Sequence, residues 1–298
     1  MMQYLPAKFP FSRLGYVQQP FGLRVSCVLD ESFVKKQTLV TGFAIEATGG
    51  MEPYFGLGPF TKGVIRELGK SLGFFLGTVD QDGGTTIIYW GTNGESTIQP
   101  LAYRNADQWK YYSFGRPIDN FGRKSCILPA LKYFLEGDFL LSRPIKRRNA
   151  TPGIFVFLLD GALDDFRATM DYLGTVVKGM AEHQRKLDHI IFIGFGDRFE
   201  EENQGQIQAL ASINRTTNSQ MITSLIVQNI DYAFEEIKAA IMPYVNIPGS
   251  GAIYNGAGQV VQVYPEGLPG VLQFQLPIGS NSFIVKINDK QYNQELVL

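Results

Sequence analysis

The sequence is poor in the residues that most often carry catalysis or cross-linking. Its 298 residues include only two cysteines, Cys27 and Cys126, and two histidines, His183 and His189. Two cysteines are too few for a disulfide framework, which favours a reducing compartment. Surface or capping roles are favoured for the two histidines, which lie at the end of a predicted helix and at the start of a predicted strand, and structural roles are favoured for the two cysteines.

Neither sign of charge is in excess, since 27 lysines and arginines stand against 28 aspartates and glutamates. This balance gives no reason to expect nucleic acid or an anionic membrane as a partner. No apolar run approaches the roughly 18 residues of a membrane helix, and the first residues lack the pattern of a secretory signal. Hydrophobic residues make up 45% and charged residues 18%, as in ordinary globular proteins. We therefore expect a cytoplasmic protein.

Strands alternate with helices through the middle of the sequence. Apolar patterns predict strands at residues 40–47, 85–90, 97–103, 154–159, 189–195 and 221–228, and helices at 60–76, 127–135, 163–180, 207–213 and around 234–241. The pair Asn93-Gly94 favours a tight hairpin, so the third strand is expected to run antiparallel. This alternation predicts an α/β fold with a doubly wound, mostly parallel sheet covered by helices on both faces.

Both ends of the sequence differ in their residue pattern from the α/β region between them. A strand pattern at 23–29 precedes the α/β region, and four short strand patterns at 259–264, 271–276, 283–287 and 292–297 follow it. Four hairpin strands need a partner layer to bury their apolar face. We therefore expect an α/β domain at 38–242, inserted into a β-rich, sandwich-like module made of 1–37 and 243–298.

A glycine-rich turn directly follows the first strand of the α/β region. Residues 40–53 read VTGFAIEATGGMEP, so this turn carries the acid of Glu46 and the hydroxyl of Thr48. Side chains that follow the strands of a parallel sheet meet at its carboxyl edge, where ligands bind. We therefore expect this turn to supply one half of a site at that edge.

The order of the elements and four short motifs resemble a von Willebrand factor A-type domain. Residues 46–51 (EATGGM) resemble the family's Asp-x-Ser-Gly-Ser-Met pattern, and in residues 122–131 (GRKSCILPAL) Ser125 stands at the family's threonine. Residues 159–161 (LDG) and 194–197 (GFGD) resemble two later strand-ending motifs. The resemblance covers residues 38–242, and the sequence is similar to intracellular members of the family in lacking a signal.

The resemblance implies a metal-ion-dependent adhesion site, in which Mg²⁺ would be held by Glu46, Thr48, Ser125 and Asp160. Carboxylate and hydroxyl oxygens are the ligands that Mg²⁺ prefers. The sequence departs from the family pattern because Glu46 replaces an aspartate, Gly50 replaces a hydroxyl and Ser125 replaces a threonine. The site implied is therefore degenerate. It either still holds Mg²⁺ or is vestigial, with Glu46 bonded to a basic neighbour or to backbone amides.

No set of residues predicts an enzyme. The sequence has no glycine-rich loop followed by Lys-Ser or Lys-Thr, and Gly194-Phe195-Gly196 lacks the third glycine of a dinucleotide-binding fingerprint. A metal-dependent hydrolase is a weaker alternative, because no general base is apparent beside Asp160.

Six side chains are predicted to contact a protein partner: Met51, Trp109, Tyr111, Tyr112, Phe114 and Asp164. Two belong to the loops of the predicted site, and the aromatic ones belong to an irregular stretch expected near its rim. Packing of these rings onto the β-rich module is the alternative. The basic stretch 142–148 is interpreted as a solvated connector in preference to a site for an acidic partner.

Two hypotheses of different classes follow from the sequence. The first is a non-enzymatic intracellular adaptor that binds a protein partner at the loops after the strands, with or without a divalent cation. The second is a structural or assembly subunit with a vestigial metal site, in which the β-rich module and the aromatic stretch mediate assembly.

Overall fold

The computed structural model describes residues 2–56, 63–93, 97–143, 151–182, 188–195, 201–217, 220–227 and 233–296. The chain divides into two compact units. Unit 1 is made of Met1–Gln37 and Ile241–Leu298, and unit 2 is Thr38–Ala240. Within the described ranges, no helix is long and apolar enough to span a membrane.

The strands and helices follow one another along the chain in this order. The first strands are β1 (Gln3–Leu5), β2 (Phe11–Gln19) and β3 (Gly22–Leu29). The central elements are β4 (Val40–Glu46), α1 (Val64–Val79), β5 (Gly84–Trp90), β6 (Ile98–Asn105), α2 (Ala106–Lys110), α3 (Leu128–Leu135), β7 (Gly153–Leu159), α4 (Phe166–Glu182), β8 (His189–Phe195), α5 (Glu201–Thr217), β9 (Ile222–Val227) and α6 (Ala233–Ile241). The last strands are β10 (Asn246–Ile247), β11 (Gly251–Asn255), β12 (Val260–Tyr264), β13 (Leu268–Pro269), β14 (Val271–Leu276), β15 (Ser282–Ile287) and β16 (Lys290–Glu295).

The described part of unit 2 is built on a six-stranded sheet in the order β6-β5-β4-β7-β8-β9. The strands β5, β4, β7, β8 and β9 are parallel to one another, whereas β6 is antiparallel to β5. The predicted mixed α/β architecture with a mostly parallel sheet is confirmed. Its central strands are apolar at nearly every position, and β7 is buried along its whole length. This pattern is typical of strands covered on both faces.

Helices pack against both faces of this sheet. Successive strand residues point to opposite faces. On one face, Phe157 and Phe192 belong to a buried cluster that also contains Leu173 of α4 and Leu210 of α5. On the other face, α1 approaches β5 so closely that a methyl group at Gly73 would lie 3.1 Å from the Cδ1 atom of Ile87.

Three glycines of α1 create the space for the segment that follows β6. Gly69, Gly73 and Gly77 are spaced by four residues, which places them on one face of the helix. A Cβ atom at Gly73 would lie 2.8 Å from the Trp109 ring, and one at Gly69 would lie 2.7 Å from the Phe114 ring. The rings of Trp109 and Phe114 therefore pack against α1 and are part of the core of unit 2.

Unit 1 contains two four-stranded antiparallel sheets within the described residues, in the orders β1-β2-β3-β14 and β12-β11-β15-β16. Because β14 pairs with β3, the two ends of the chain share one sheet. The ring of Phe283 in the second sheet lies 5.8 Å from that of Phe11 and 5.0 Å from that of Phe274 in the first. The two sheets thus pack face to face over an aromatic core.

Several elements differ from the prediction. Strands β1, β2, β10, β11 and β13 and helix α2 were not predicted. The alternation of β2 is interrupted by Gly15 and by a register shift between Phe11 and Arg13, and the short β11 lies among glycine and asparagine residues that suggest turns. Helix α5 covers Glu201–Thr217 where the pattern predicted only 207–213, because its outer turns are polar.

Candidate functional site at the carboxyl edge of the sheet

The carboxyl ends of β4 and β7 open onto a cleft with a volume of about 530 Å³. These two strands are the neighbours at which the strand order reverses, and such a crevice is the usual ligand site of an open α/β sheet. The four side chains predicted to share one site all line it: Glu46, Thr48, Ser125 and Asp160. The glycines Gly49, Gly50, Gly122 and Gly161 and the basic Arg123 line it as well.

Backbone hydrogen bonds join the loop after β4 to the loop before α3. The amide of Gly122 donates to the carbonyl of Ala47, and the amide of Gly49 donates to the carbonyl of Gly122, both at 2.9 Å. A Cβ atom at Gly122 would lie 1.9 Å from the carbonyl oxygen of Gly91, so this close approach requires glycine. The two loops therefore form one wall of the cleft.

Glu46 is fully buried at the base of the cleft. Its Oε1 accepts a hydrogen bond from the Thr48 hydroxyl at 3.0 Å, and its Oε2 accepts one from the Asp160 amide at 2.9 Å. Burial, followed by the nearby charge of Asp160, raises the pKa of Glu46 to about 8, although hydrogen bonds from Asp160, Ser125 and Thr48 oppose the shift. In the absence of a cation this carboxyl group is mainly protonated at neutral pH.

Ser125 presents a hydroxyl to the cleft from the loop before α3. This buried hydroxyl lies near enough to Glu46 to lower the pKa of that carboxyl. The Ser125 amide donates to Oδ2 of Asp164 at 2.7 Å, and its carbonyl accepts from the Asp164 amide at 2.9 Å. Asp164, predicted to contact a partner, thus holds this loop as it lines the cleft.

Asp165 is a residue of the site that the sequence analysis missed. Its two carboxylate oxygens accept hydrogen bonds from the amides of Ile127 at 3.1 Å and Leu128 at 2.8 Å. An acidic residue just before an apolar helical pattern is a known start signal, but it points to α4, which follows Asp165 in sequence. The side chain instead caps α3, and that long-range pairing leaves no sequence signal.

The donor set of the cleft suits a hard cation only if the hydroxyls take part. Over the part of the chain that the structure describes, no three histidine, cysteine, aspartate or glutamate side chains are grouped to hold a metal ion. Glu46 and Asp160 supply two carboxylates, so Thr48 and Ser125 must supply further oxygen ligands. Oxygen ligands of this kind, completed by water, fit Mg²⁺.

The structure corrects the predicted partner surface. Met51, Trp109 and Phe114 are fully buried, so none of them presents a surface to a partner. The Trp109 indole donates to the carbonyl of Thr85 at the start of β5, which is the sheet edge opposite the cleft. Tyr112 is partly buried against the Trp109 and Phe114 rings. Tyr111, 86% exposed, is the aromatic side chain of this set that stays available.

Two further predictions have a structural outcome. Arg143, the first basic residue of the connector, is buried and forms an ion pair with Asp80 at 2.6 Å, so the solvated interpretation is wrong for this residue. His189 opens β8, and burial lowers its pKa to about 4. The rest of the connector at 144–148, His183, and Gly196 and Asp197 of the fourth motif lie outside the described residues.

Comparisons with known proteins give only distant structural similarities. No family model and no curated protein matches the sequence. The open form of the pilus adhesin SpaC from Lactobacillus rhamnosus GG is 10% identical with a TM-score of 0.48, and the alignment covers 98% of this chain and 48% of that one. A point mutant of the PilB minor pilin from Streptococcus sanguinis is 10% identical with a TM-score of 0.47, covering 80% and 77%.

Proximal thread matrix protein 1 from the mussel byssus, with a zinc-occupied MIDAS motif, is 12% identical with a TM-score of 0.39, and the alignment covers 73% of this chain and 47% of that one. This chain therefore spans about half the length of the adhesin and of the byssus protein. With TM-scores below 0.5, these similarities do not indicate a partner or a binding site for this chain.

Proposed function

We propose that this chain is a non-enzymatic module that binds a protein partner at the cleft, in the manner of a von Willebrand factor A-type domain. The observation that carries the proposal is the convergence of Glu46 and Asp160, from the two strands at which the strand order reverses, on one open cleft. Carboxylates and hydroxyls gathered at such a crevice favour ligand binding over packing.

The arrangement of the sheet supports this family resemblance. Counted from β4, the strands of unit 2 lie in the order 3-2-1-4-5-6, which is a doubly wound order. The antiparallel strand is β6, the third of these strands in sequence and one of the two outer strands of the described sheet, as the resemblance implies.

A divalent cation is part of the proposed site. Mg²⁺ would be held by Glu46, Thr48, Ser125 and Asp160, and when bound it would supply a coordination position for an oxygen atom of the partner. Its charge would relieve the repulsion between the two carboxylates that contributes to the raised pKa of Glu46. The protein's own contribution is to orient Glu46 through the Thr48 hydroxyl and the Asp160 amide.

Calorimetric titration of Mg²⁺ and Mn²⁺ into the chelator-treated full chain tests the proposal. We expect saturable binding to the wild type and binding weakened by more than about tenfold in Asp160→Ala, because a carboxylate ligand is lost. Asp171→Ala, which removes an exposed acid of α4, is the matched control and should bind like the wild type. Absence of saturable heat at millimolar metal contradicts the cation, and full binding by Asp160→Ala contradicts its location.

The hydrogen bonds of Glu46 favour a second candidate function, a structural or assembly subunit with a vestigial cleft. Both carboxylate oxygens already accept hydrogen bonds from the protein, and Gly50 offers no side-chain ligand. In that case Asp160→Ala leaves assembly intact, whereas Tyr111→Ser, which changes the exposed member of the aromatic stretch, weakens it. Sedimentation of the full chain measures both outcomes.

A further inference from the structure

We propose that Asp164 and Asp165 are positioning residues of the cleft, whose carboxylates hold the loop that carries Ser125 in register with the loop after β7. The role of the cleft itself rests on the proposed function. The positioning role is a claim about the protein alone, so a measurement without any ligand tests it.

Asp164 and Ser125 are bonded to each other twice. The Ser125 amide donates to Oδ2 of Asp164 at 2.7 Å, and the Asp164 amide donates to the Ser125 carbonyl at 2.9 Å. A bond to a charged carboxylate is shorter and stronger than one between neutral groups. The pair therefore fixes the backbone from which the Ser125 hydroxyl reaches the cleft.

Asp165 supplies the cap that the start of α3 lacks in its own sequence. The capping position of α3 is Ile127, whose side chain makes no capping hydrogen bond. The amides of Ile127 and Leu128 donate instead to the two carboxylate oxygens of Asp165. A carboxylate at a helix start also interacts favourably with the positive end of the helix dipole.

The main chain of Asp165 also contributes to the start of α4. The carbonyl of Asp165 accepts a hydrogen bond from the Thr169 amide at 2.9 Å. Asp164 and Asp165 therefore tie the first turn of α3, the Ser125 loop and the first turn of α4 into one assembly. Asp160 precedes the first turn of α4, so this assembly sets where Ser125 stands relative to the carboxylates of the cleft.

Cys126, which follows Ser125, is a native reporter of the loop position. It is partly exposed, whereas the other cysteine, Cys27, is buried. Burial, and then the charges of Asp165 and Asp164, raise the pKa of the Cys126 thiol. Removal of either acid thus has two effects on alkylation of this thiol, one through charge and one through loop position, and the two must be separated.

Alanine and asparagine variants of Asp164 and Asp165 separate the effect of charge from the effect of loop position. Both substitutions remove the charge, but only asparagine keeps an acceptor oxygen, which suffices for the amide hydrogen bond at position 164 and for one of the two at position 165. We expect Cys126 in Asp164→Ala and Asp165→Ala to be alkylated by iodoacetamide more than about threefold faster than in the matching Asn variants. Asp171→Ala should react at the wild-type rate, and Cys27 should stay unlabelled in every folded variant. Equal rates for Ala and Asn variants at both positions overturn the inference.

A Mn²⁺ titration of the same variants separates this inference from the proposed function. If both hold, the Ala variants bind Mn²⁺ about tenfold more weakly than the Asn variants, as expected when supporting residues of a metal site are lost. A wild type that binds no Mn²⁺, together with faster alkylation of the Ala variants, contradicts the cation of the proposed function and keeps the positioning role. If the wild type binds Mn²⁺ but the Ala and Asn variants are alkylated at equal rates, the cation is supported and the positioning role is contradicted.

Discussion

At the scale of single residues, Glu46 shows how the fold sets the chemistry of the cleft. Its carboxyl group has no exposure to solvent and faces the charge of Asp160, and both effects disfavour ionisation. The folded protein therefore binds the proton of Glu46 more tightly than the unfolded chain, in which glutamate has a pKa of about 4.3. The stability contributed by this proton is fully present below that value and is lost as the pH rises towards about 8.

Glu46→Gln removes this pH dependence of the stability, because glutamine stays neutral at every pH. In chelator, we expect the free energy of unfolding of the variant to rise relative to that of the wild type between pH 5 and pH 8, by roughly 1 kcal/mol per pH unit. Urea denaturation at several pH values measures the difference. A difference that is constant across this range shows that Glu46 ionises normally.

Arg143 is the second residue whose setting has a measurable cost. Its guanidinium group is buried between Asp80 at 2.6 Å, Asp82 at 3.5 Å and the carbonyl of Gly84 at 2.9 Å. Arg143→Met leaves two buried carboxylates without their counter-charge, so we expect a loss of about 3–5 kcal/mol in the free energy of unfolding.

Arg116→Met is the matched control for Arg143. It breaks an ion pair with Glu52 of similar length, 2.8 Å, but both side chains are largely exposed. Exposed pairs contribute about 1 kcal/mol or less. Equal losses for the two variants, measured by urea denaturation, contradict the structural role of Arg143.

At the scale of secondary-structure elements, the glycines of α1 reverse the usual effect of a glycine-to-alanine change in a helix. Alanine in a helix is normally more stable than glycine by about 0.5–1 kcal/mol. At Gly73 the added methyl group would lie 2.8 Å from Trp109, so we expect Gly73→Ala to destabilise the protein by about 1–3 kcal/mol.

Gly174 on α4 has no atom within 4 Å of an added Cβ, and Gly174→Ala should follow the ordinary helical preference and stabilise the protein. Thermal melts of the two variants compare the signs directly. Stabilisation by both substitutions means that the contact between α1 and the Trp109 segment is looser than the structure shows.

The elements that were predictable are those whose own side chains determine them. Strand β7 is apolar along its length and needs no distant information to be recognised. Strand β2, with its interrupted alternation, forms because β1 and β3 pair with it. Burial of Trp109 likewise depends on glycines of α1 more than thirty residues earlier, which fall on one helical face at a spacing of four.

The candidate site was predictable where the geometry of the sheet alone determines it. Glu46 and Asp160 follow strands of a parallel sheet, so sheet geometry alone brings them to one edge. The capping of α3 by Asp165 was not predictable, because the amides it accepts from lie 37 and 38 residues away. Pairings of this kind depend on how two loops meet after folding.

At the scale of the whole molecule, both ends of the chain build one unit. Strand β14 near the carboxyl end pairs with β3 near the amino end, and Phe283 packs on Phe11 and Phe274. Unit 2, which holds the cleft, is the stretch of chain between these ends. Loss of the C-terminal strands would therefore remove the partner of β3, whereas each residue of the cleft described above belongs to unit 2.

The central claim is that the cleft at the carboxyl edge of the sheet holds a divalent cation. An anomalous-difference map from crystals of the full chain grown with Mn²⁺ tests it most directly, because it gives the position of the ion. We expect a peak in the cleft between Glu46, Thr48, Ser125 and Asp160, and no peak there in Asp160→Ala crystals. A wild-type map without a peak in the cleft at millimolar Mn²⁺ would contradict the claim.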